Sequence, residues 1–297
     1  MESSPFNEAE RALQTRVGVR DKIELQGQRV IRGFLTEQHQ QFFAMLPFIV
    51  ISSLDSQQRQ WTQFVCGNPG FIDTSDCKLV RIHSLPTTFE LVIGAPIGIL
   101  GIQLHTRRRN KVKGTVVAVG KDGFDVKVFQ TCGNCPQYIF SREAEFVRDA
   151  KNAPSSQVLI QNELDDRAVD LISKSDFFFL GTVEADKRAA EVNHRGGKSG
   201  FVKVRTRREL IFPDFTGNFH FSSLGNISAT GAASAIFVDT ETSEPLLLTC
   251  KAEIDWDSEL MKSFAGAERL VKLTILEIAR PSAPLPIKFS GGGKKNC

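Results

Sequence analysis

Between Glu191 and Asn226 the chain gathers side chains that could hold an anion. Asn193-His194-Arg195-Gly196-Gly197-Lys198 sets two fixed cations and a histidine within six residues, and the glycines among them give a ligand close access to backbone. Alternation at Phe201, Val202 and Val204, and again at Leu210 and Phe212, predicts two strands of a hairpin. Gly196, Gly197 and Gly200 break the first of them where the cations cluster. Past the second strand, Thr216-Gly217-Asn218 reads as the lead-in to a short helix. Free N–H groups at that helix start, facing Arg195 and Lys198, would seat a phosphate.

Other chemistry-bearing motifs yield less. Cys132-Gly133-Asn134-Cys135 has dithiol spacing, but neither Cys66 nor Cys77 supplies the second pair that a zinc site needs. It follows a strand at 124–129 and precedes Pro136 rather than opening a helix, so it reads as structural. The glycines of 191–200 lack G-x-G-x-x-G spacing and lead into a strand, which excludes a dinucleotide fingerprint. His194 reads as a strand histidine satisfied by its surroundings, because no carboxylate is placed beside it to support acid–base work.

Composition bounds the rest. A chain of 297 residues with 41% hydrophobic and 24% charged content has room for two ordinary domains. A net charge of +3 makes no electrostatic case for nucleic acid or a membrane surface. Phenylalanine is abundant, at 23 residues, against one tyrosine and two tryptophans, which points to packed strands rather than a base-stacking surface. The longest apolar stretch, 91–104, is interrupted by Gly94, Pro96, Gly98 and Gly101, and falls short of the roughly 18–20 residues of a membrane helix. The polar, acidic start gives no expectation of a secretory leader, and six scattered cysteines in so long a chain are expected as reduced thiols in the cytoplasm.

The elements that must position these residues fall into two halves. Residues 1–47 read as a helical segment, 48–150 and 157–285 as two similar units, and 286–297 as a disordered Gly- and Lys-rich tail. Phe48–Leu54 and its polar turn match Phe177–Val183 and its turn at an offset of 129 residues, and Gly70-Phe71-Ile72 matches Gly200-Phe201-Val202 at 130. Val112–Val116 similarly resembles Leu248–Ala252. Leu79–Ile82 is expected to close a hairpin with the strand at 61–66. The linker is expected near Asn152–Ser156. Short strands at this spacing predict a mainly β protein with peripheral helices, built as two tandem split β-barrels packed as a pseudo-dimer.

At this point the residues resemble a known family. Asn193–Gly197, Gly200–Val202, Ile211–Asp214, Gly217-Asn218, Ser223–Asn226 and Ile236–Asp239 are similar to the flavin-binding split barrel of the pyridoxamine 5′-phosphate oxidase-like proteins. Leu104–Asn110 and Gly133–Tyr138 resemble segments of the same family in the first half. The resemblance implies FMN bound between two barrels. Its phosphate contacts would fall on Arg195, Lys198 and Gly217-Asn218, with Pro213, Asp214 and Phe215 along the ribityl chain and ring edge. Asn193, His194, Gly196 and Asn226 complete the implied second-half set, and Arg107, Arg108 and Arg109 would reach across from the first half. The halves differ: Phe64 and Val65 stand where the second has His194 and Arg195, which implies one FMN per chain. No C-terminal Arg-x-His segment is present, so pyridoxamine-phosphate oxidase activity itself is not implied. The expectation is an FMN-dependent oxidoreductase acting on a small molecule, with a reduced nicotinamide or a reductase as electron donor. It would be a monomer with an internal pseudo-dimer, or a homodimer. The alternatives are a flavin-binding or sensing module, and a haem-binding barrel with His194, His220 or His83 as the iron ligand.

Overall fold

A computed structural model describes residues 4–148 and 157–291. The linker expected at 152–156 and the tail beyond residue 291 lie outside the described residues. Three helices come first, α1 (Glu8–Arg16), α2 (Arg20–Val30) and α3 (Glu37–Ala44). The first half then folds as β1 (Phe48–Leu54), β2 (Gln60–Cys66), β3 (Ile72–Asp73), β4 (Leu79–Ile82), β5 (Pro96–Gln103), β6 (Arg108–Val119) and β7 (Phe124–Asn134), followed by β8 (Glu143–Phe146). The second half contains β9 (Val158–Gln161), α4 (Asp166–Lys174), β10 (Phe177–Val183), β11 (Ala190–Gly196), β12 (Lys203–Thr206), β13 (Glu209–Phe215), α5 (Ser222–Thr230), β14 (Ala232–Val238), β15 (Pro245–Asp255) and β16 (Ala267–Pro281). A last strand, β17 (Ile287–Ser290), pairs with β8.

The two large sheets follow one path. Strand order β2-β1-β5-β6-β7-β4-β3 in the first is repeated as β11-β10-β14-β15-β16-β13-β12 in the second, with β9 added beside β16. Each sheet is an antiparallel split barrel, and the offsets of 129 and 130 residues carry β1 onto β10 and β2 onto β11. The phenylalanine-rich strands are explained by what lies on either side of them. In β10, Phe178 and Leu180 fill the second barrel's own core, while Phe177 and Phe179 face a cluster shared with the first barrel. In β1, Ile49 and Ile51 point into the first barrel, and Phe48 and Val50 into the shared cluster. A strand buried on both faces has no polar alternation to keep.

The halves meet about a pseudo-two-fold axis. Lys187 Nζ donates to Gln58 Oε1 at 2.8 Å, although these are equivalent turn residues of the two copies (187 − 58 = 129). Residues related by a two-fold touch one another only at the axis. Close by, a methyl group on Gly181 would lie 2.3 Å from Oγ of its own counterpart Ser52.

Three sequence expectations change. Leu79–Ile82 pairs with β3 and β7 rather than with β2, because the turn at 67–70 carries the chain to a new sheet edge before it reverses. The stretch Glu191–Val204 is two strands, not one, since the glycines end β11 outright and β12 restarts at Lys203. Residues 287–290 are ordered strand rather than tail. Ile287 and Phe289 alternate inward, and the Phe289 ring packs edge-on against Phe48 and Phe177. No helix among the described residues is long and apolar enough to cross a membrane.

A candidate cleft between the two barrels

Strand β6 of the first barrel crosses β11 of the second, and their facing side chains build the site. Alternate residues of β6 point the same way, which brings Arg109, Lys111 and Lys113 to one face; Glu191, Asn193 and Arg195 do the same on β11. Lys113 Nζ lies 3.1 Å from Glu184, 3.6 Å from Glu10 of α1 and 3.6 Å from Glu191. Lys111 Nζ lies 3.0 Å from Glu191 and 3.5 Å from the Ser222 hydroxyl. Burial works to raise the Glu191 carboxyl, but the two lysines outweigh it and hold it below the usual range. Glu10 goes the other way, its burial prevailing over Lys113. Among the described residues Arg109 pairs with no carboxylate. Its guanidinium donates to the Gln137 carbonyl, at 3.4 Å, and its buried Nε finds no partner there. Burial, with the like charge of Arg195, brings its pKa down to about 10 despite the neighbouring Cys135.

An asparagine chain ties the barrels together beside this ladder. Asn134, from the end of β7, donates to Asn193 Oδ1 at 3.3 Å and accepts from Asn218 at 3.4 Å. Asn193 in turn donates to Ser223 Oγ at 2.8 Å. Ser223 stands in the first turn of α5, whose start at Phe221 has no side-chain cap. The first N–H groups of that turn have no side-chain cap, and Ser222, Ser223 and Leu224 form part of the cleft wall. Tyr138, from the first half, closes the opposite side. Its ring stacks on Phe215 at 5.3 Å and its hydroxyl donates to the Thr216 carbonyl at 2.9 Å. Gly196 is required here, since a methyl group at that position would strike the Tyr138 carbonyl at 2.1 Å. Tyr138, Phe219 and Phe221 all hold a left-handed backbone, with φ of 63°, 56° and 58°. Three bulky residues in that region around one cleft mark a site whose geometry is held by its surroundings.

At the far end Arg195 donates to Asp214 Oδ1 at 2.7 Å, and Arg269 approaches the other oxygen of Asp214 at 3.7 Å while pairing with Glu268. His194 stacks flat on Phe177 and its buried Nδ1 has no partner. Burial first, and then Arg109, Arg142 and Arg195, push its pKa well below the ordinary value, so it is a neutral imidazole. His220 is brought down to about 4 by burial and Lys111, with Glu191 opposing.

Most of the residues expected from sequence meet here. Asn193, His194, Arg195, Gly196, Pro213, Asp214, Phe215, Gly217 and Asn218 all border the cleft, joined by Arg109. Four do not. Lys198 is exposed on the turn after β11, because the chain reverses there. Arg107 and Arg108 are exposed at the hairpin tip, where Arg108 lies over the Phe42 ring at 5.2 Å. Asn226 is buried inside α5 and donates to Thr182 Oγ1 at 3.0 Å. His83 is exposed. Sequence reading missed Lys111 and Ser222, and took Asn134 and Tyr138 only as part of the Gly133–Tyr138 segment rather than as site residues. Period-two alternation through Arg109-Asn110-Lys111-Val112-Lys113 would have found the first. The five described cysteines are free thiols, and no group of three or more metal-ligating side chains clusters among the described residues.

No family model and no curated protein matches this sequence. Solved structures do resemble it. A candidate pyridoxamine 5′-phosphate oxidase from Lactobacillus delbrueckii is 22% identical, covering 40% of this chain and 94% of its own, with a TM-score of 0.34. HupZ of Group A Streptococcus is 16% identical over 44% of this chain and 99% of its own, TM-score 0.32. HutZ, the haem storage protein of Vibrio cholerae, is 16% identical over 40% and 95%, TM-score 0.30. Each of the three spans less than half of this chain and nearly all of itself.

Proposed function

We propose that the cleft binds FMN, one molecule per chain, and that the protein is an FMN-dependent oxidoreductase acting on a small molecule. The observation that carries this reading is the uncapped start of α5, opening onto a cleft whose walls come from both barrels. N–H groups at a helix start and the Ser222 and Ser223 hydroxyls are donors of the kind a phosphate needs. These donors replace Lys198, which points to solvent, and Arg195, which Asp214 already holds. Phe215 and Tyr138 supply flat apolar walls suited to an aromatic ring system.

The fit is chemical at both ends and tight in the middle. The cleft holds about 120 Å³ of open space with Tyr138 stacked on Phe215, and Tyr138 is the side chain that would lift to admit a ring. Tyr138 is 40% exposed, and lifting it gives up the Phe215 stack and the hydrogen bond to the Thr216 carbonyl. Bound flavin would supply hydride and one-electron chemistry. The chain's own part is to hold the phosphate, to cover the ring with Tyr138 and to keep His194 neutral. Electrons would come from a reduced nicotinamide or a separate reductase.

One flavin per chain follows from what fills the equivalent position in the other half. Phe64 stands where β11 carries His194, and it packs against Phe48 and Phe179 at 5.5 Å from each. The absorbance spectrum and an FMN titration followed by flavin fluorescence test the proposal, with saturation expected at one equivalent. Protein that neither carries nor takes up FMN would defeat it. Anaerobic reduction by NADH or NADPH then separates an enzyme from a flavin-binding module.

A haem-binding barrel is the second reading. It is favoured by His194, which borders the cleft and whose buried Nδ1 has no hydrogen-bond partner among the described residues. A Soret band on adding haemin, lost in His194→Ala, would establish it in place of the first.

A further inference from the structure

The cation ladder on β6 is incomplete. Lys113 and Lys111 each face a buried carboxylate across the seam, at 3.1 Å and 3.0 Å. The next rung, two residues further on, is Arg109, about 7 Å along the strand. β11 offers no acid at that level: its next inward residue after Glu191 is Asn193, bonded to Asn134, which pairs with Arg109 in the sheet. Among the described groups at this end of the cleft, Arg195 and Arg269 share Asp214 and Glu268, Arg142 pairs with Asp176, and Arg109 is left without a carboxylate. Arg109 is 7% exposed and His194 6%, and each carries a buried nitrogen without a partner.

A buried guanidinium without an anion is costly, and a protein keeps one where a ligand completes it. We infer that Arg109 is the binding site for the carboxylate of a small planar acid, which is the class of substrate this cleft takes. A guanidinium presents a planar fork that matches a carboxylate in two parallel hydrogen bonds, which the lysines of the other rungs cannot do. Tyr138 follows directly on Gln137, whose carbonyl Arg109 touches, so the aromatic wall stands next to the charge. An aromatic acid is therefore the natural probe. The lowered pKa of Arg109 agrees with a cation that still lacks its counter-ion.

This inference rests on the flavin reading for what shares the cleft, Tyr138 being a wall that flavin ring and acid would both touch. The experiment keeps the two apart. Benzoate and benzamide are titrated calorimetrically into the protein with and without FMN, and FMN and riboflavin affinities are measured on the same variants. Benzoate is expected to bind at one per chain and benzamide at least tenfold more weakly. Arg109→Met should weaken benzoate at least tenfold, Arg109→Lys less, and neither should alter the ratio of FMN to riboflavin affinity. Ser223→Ala should lower that ratio and leave benzoate in place. Equal binding of benzoate and benzamide would overturn the inference, as would unchanged benzoate affinity in a folded Arg109→Met. A collapse of the FMN-to-riboflavin ratio in Arg109→Met would also overturn it, by giving this arginine to the cofactor's phosphate. If wild-type protein binds no FMN, the cofactor reading falls, while the benzoate series still decides the role of Arg109.

Discussion

Lys111 and Glu191 lie 3.0 Å apart across the seam between the barrels, with side chains only 5% and 3% exposed. Neither ion could stay there alone. Replacing Lys111 by Met leaves Glu191 buried with only the more distant Lys113, and we expect a loss of about 3–5 kcal/mol in chemical denaturation. Removing both charges together, as Lys111→Met with Glu191→Leu, should recover much of that loss. A double variant as unstable as the sum of its parts would show that the two side chains act independently.

Gly181 makes the barrels' approach possible at the axis. A methyl group there would meet Thr62 Oγ1 at 2.1 Å, Ser52 Oγ at 2.3 Å and Ser234 Oγ at 2.6 Å. Gly181→Ala is expected to cost about 1–3 kcal/mol through overpacking, read as a lower urea midpoint. Adding Thr62→Ala should return part of it, because the nearest obstructing atom goes. A midpoint that does not move would mean the interface has slack that this packing denies.

Acid should weaken the protein before its carboxylates titrate. His194 and His220 are both held below 6.5, His220 at about 4, because their buried rings lose water on folding. A depressed pKa gives stability that is present above pH 6.5 and lost as the pH falls toward the folded value, since the unfolded chain takes up the proton first. For His220 alone the fall from 6.5 to about 4 is worth on the order of 3 kcal/mol. Glu10 has the opposite sign: its raised pKa gives stability below 4.5 that is lost as the pH climbs. Two histidines against one glutamate leave a net loss on acidification between pH 6.5 and 4.5. His220→Gln should flatten the slope of unfolding free energy against pH by close to one proton. An unchanged slope would place that ring's charge elsewhere.

The fold was legible where the signal is local. Runs such as Phe48–Leu54 and Phe177–Val183 can only be strands packed on both faces, and their common offset exposes the paired architecture. The cleft was half legible for the same reason. Asn193 to Gly196 and Pro213 to Asn218 carry a pattern, whereas Glu184 reads as one more acid in a polar turn, and nothing near it announces the buried Lys113 far back in the chain. Arg107, Arg108 and Arg109 look alike in sequence. Only strand alternation separates them, turning Arg109 inward and leaving Arg108 over Phe42. Ile287-Lys288-Phe289 was hidden by its company, a short alternation beside a run of glycine and lysine.

Asn134 supplies the most direct test that both barrels build one site. It is the first barrel's contribution to a hydrogen-bonded chain that runs through Asn193 to Ser223 and, by a second branch, to Asn218. Cutting it to alanine leaves two amides on the second barrel without their partner, next to the start of α5. Each lost hydrogen bond is worth about 1 kcal/mol, so flavin affinity should drop by up to about thirtyfold while the barrels stay folded. Lys198→Ala is the matched control, since its side chain points to solvent and should leave that affinity where it was. Fluorescence titration of the two variants with FMN decides between the cleft and the exposed turn. Loss of flavin in Lys198→Ala, with Asn134→Ala unaffected, would move the cofactor out of the seam and onto the second barrel alone.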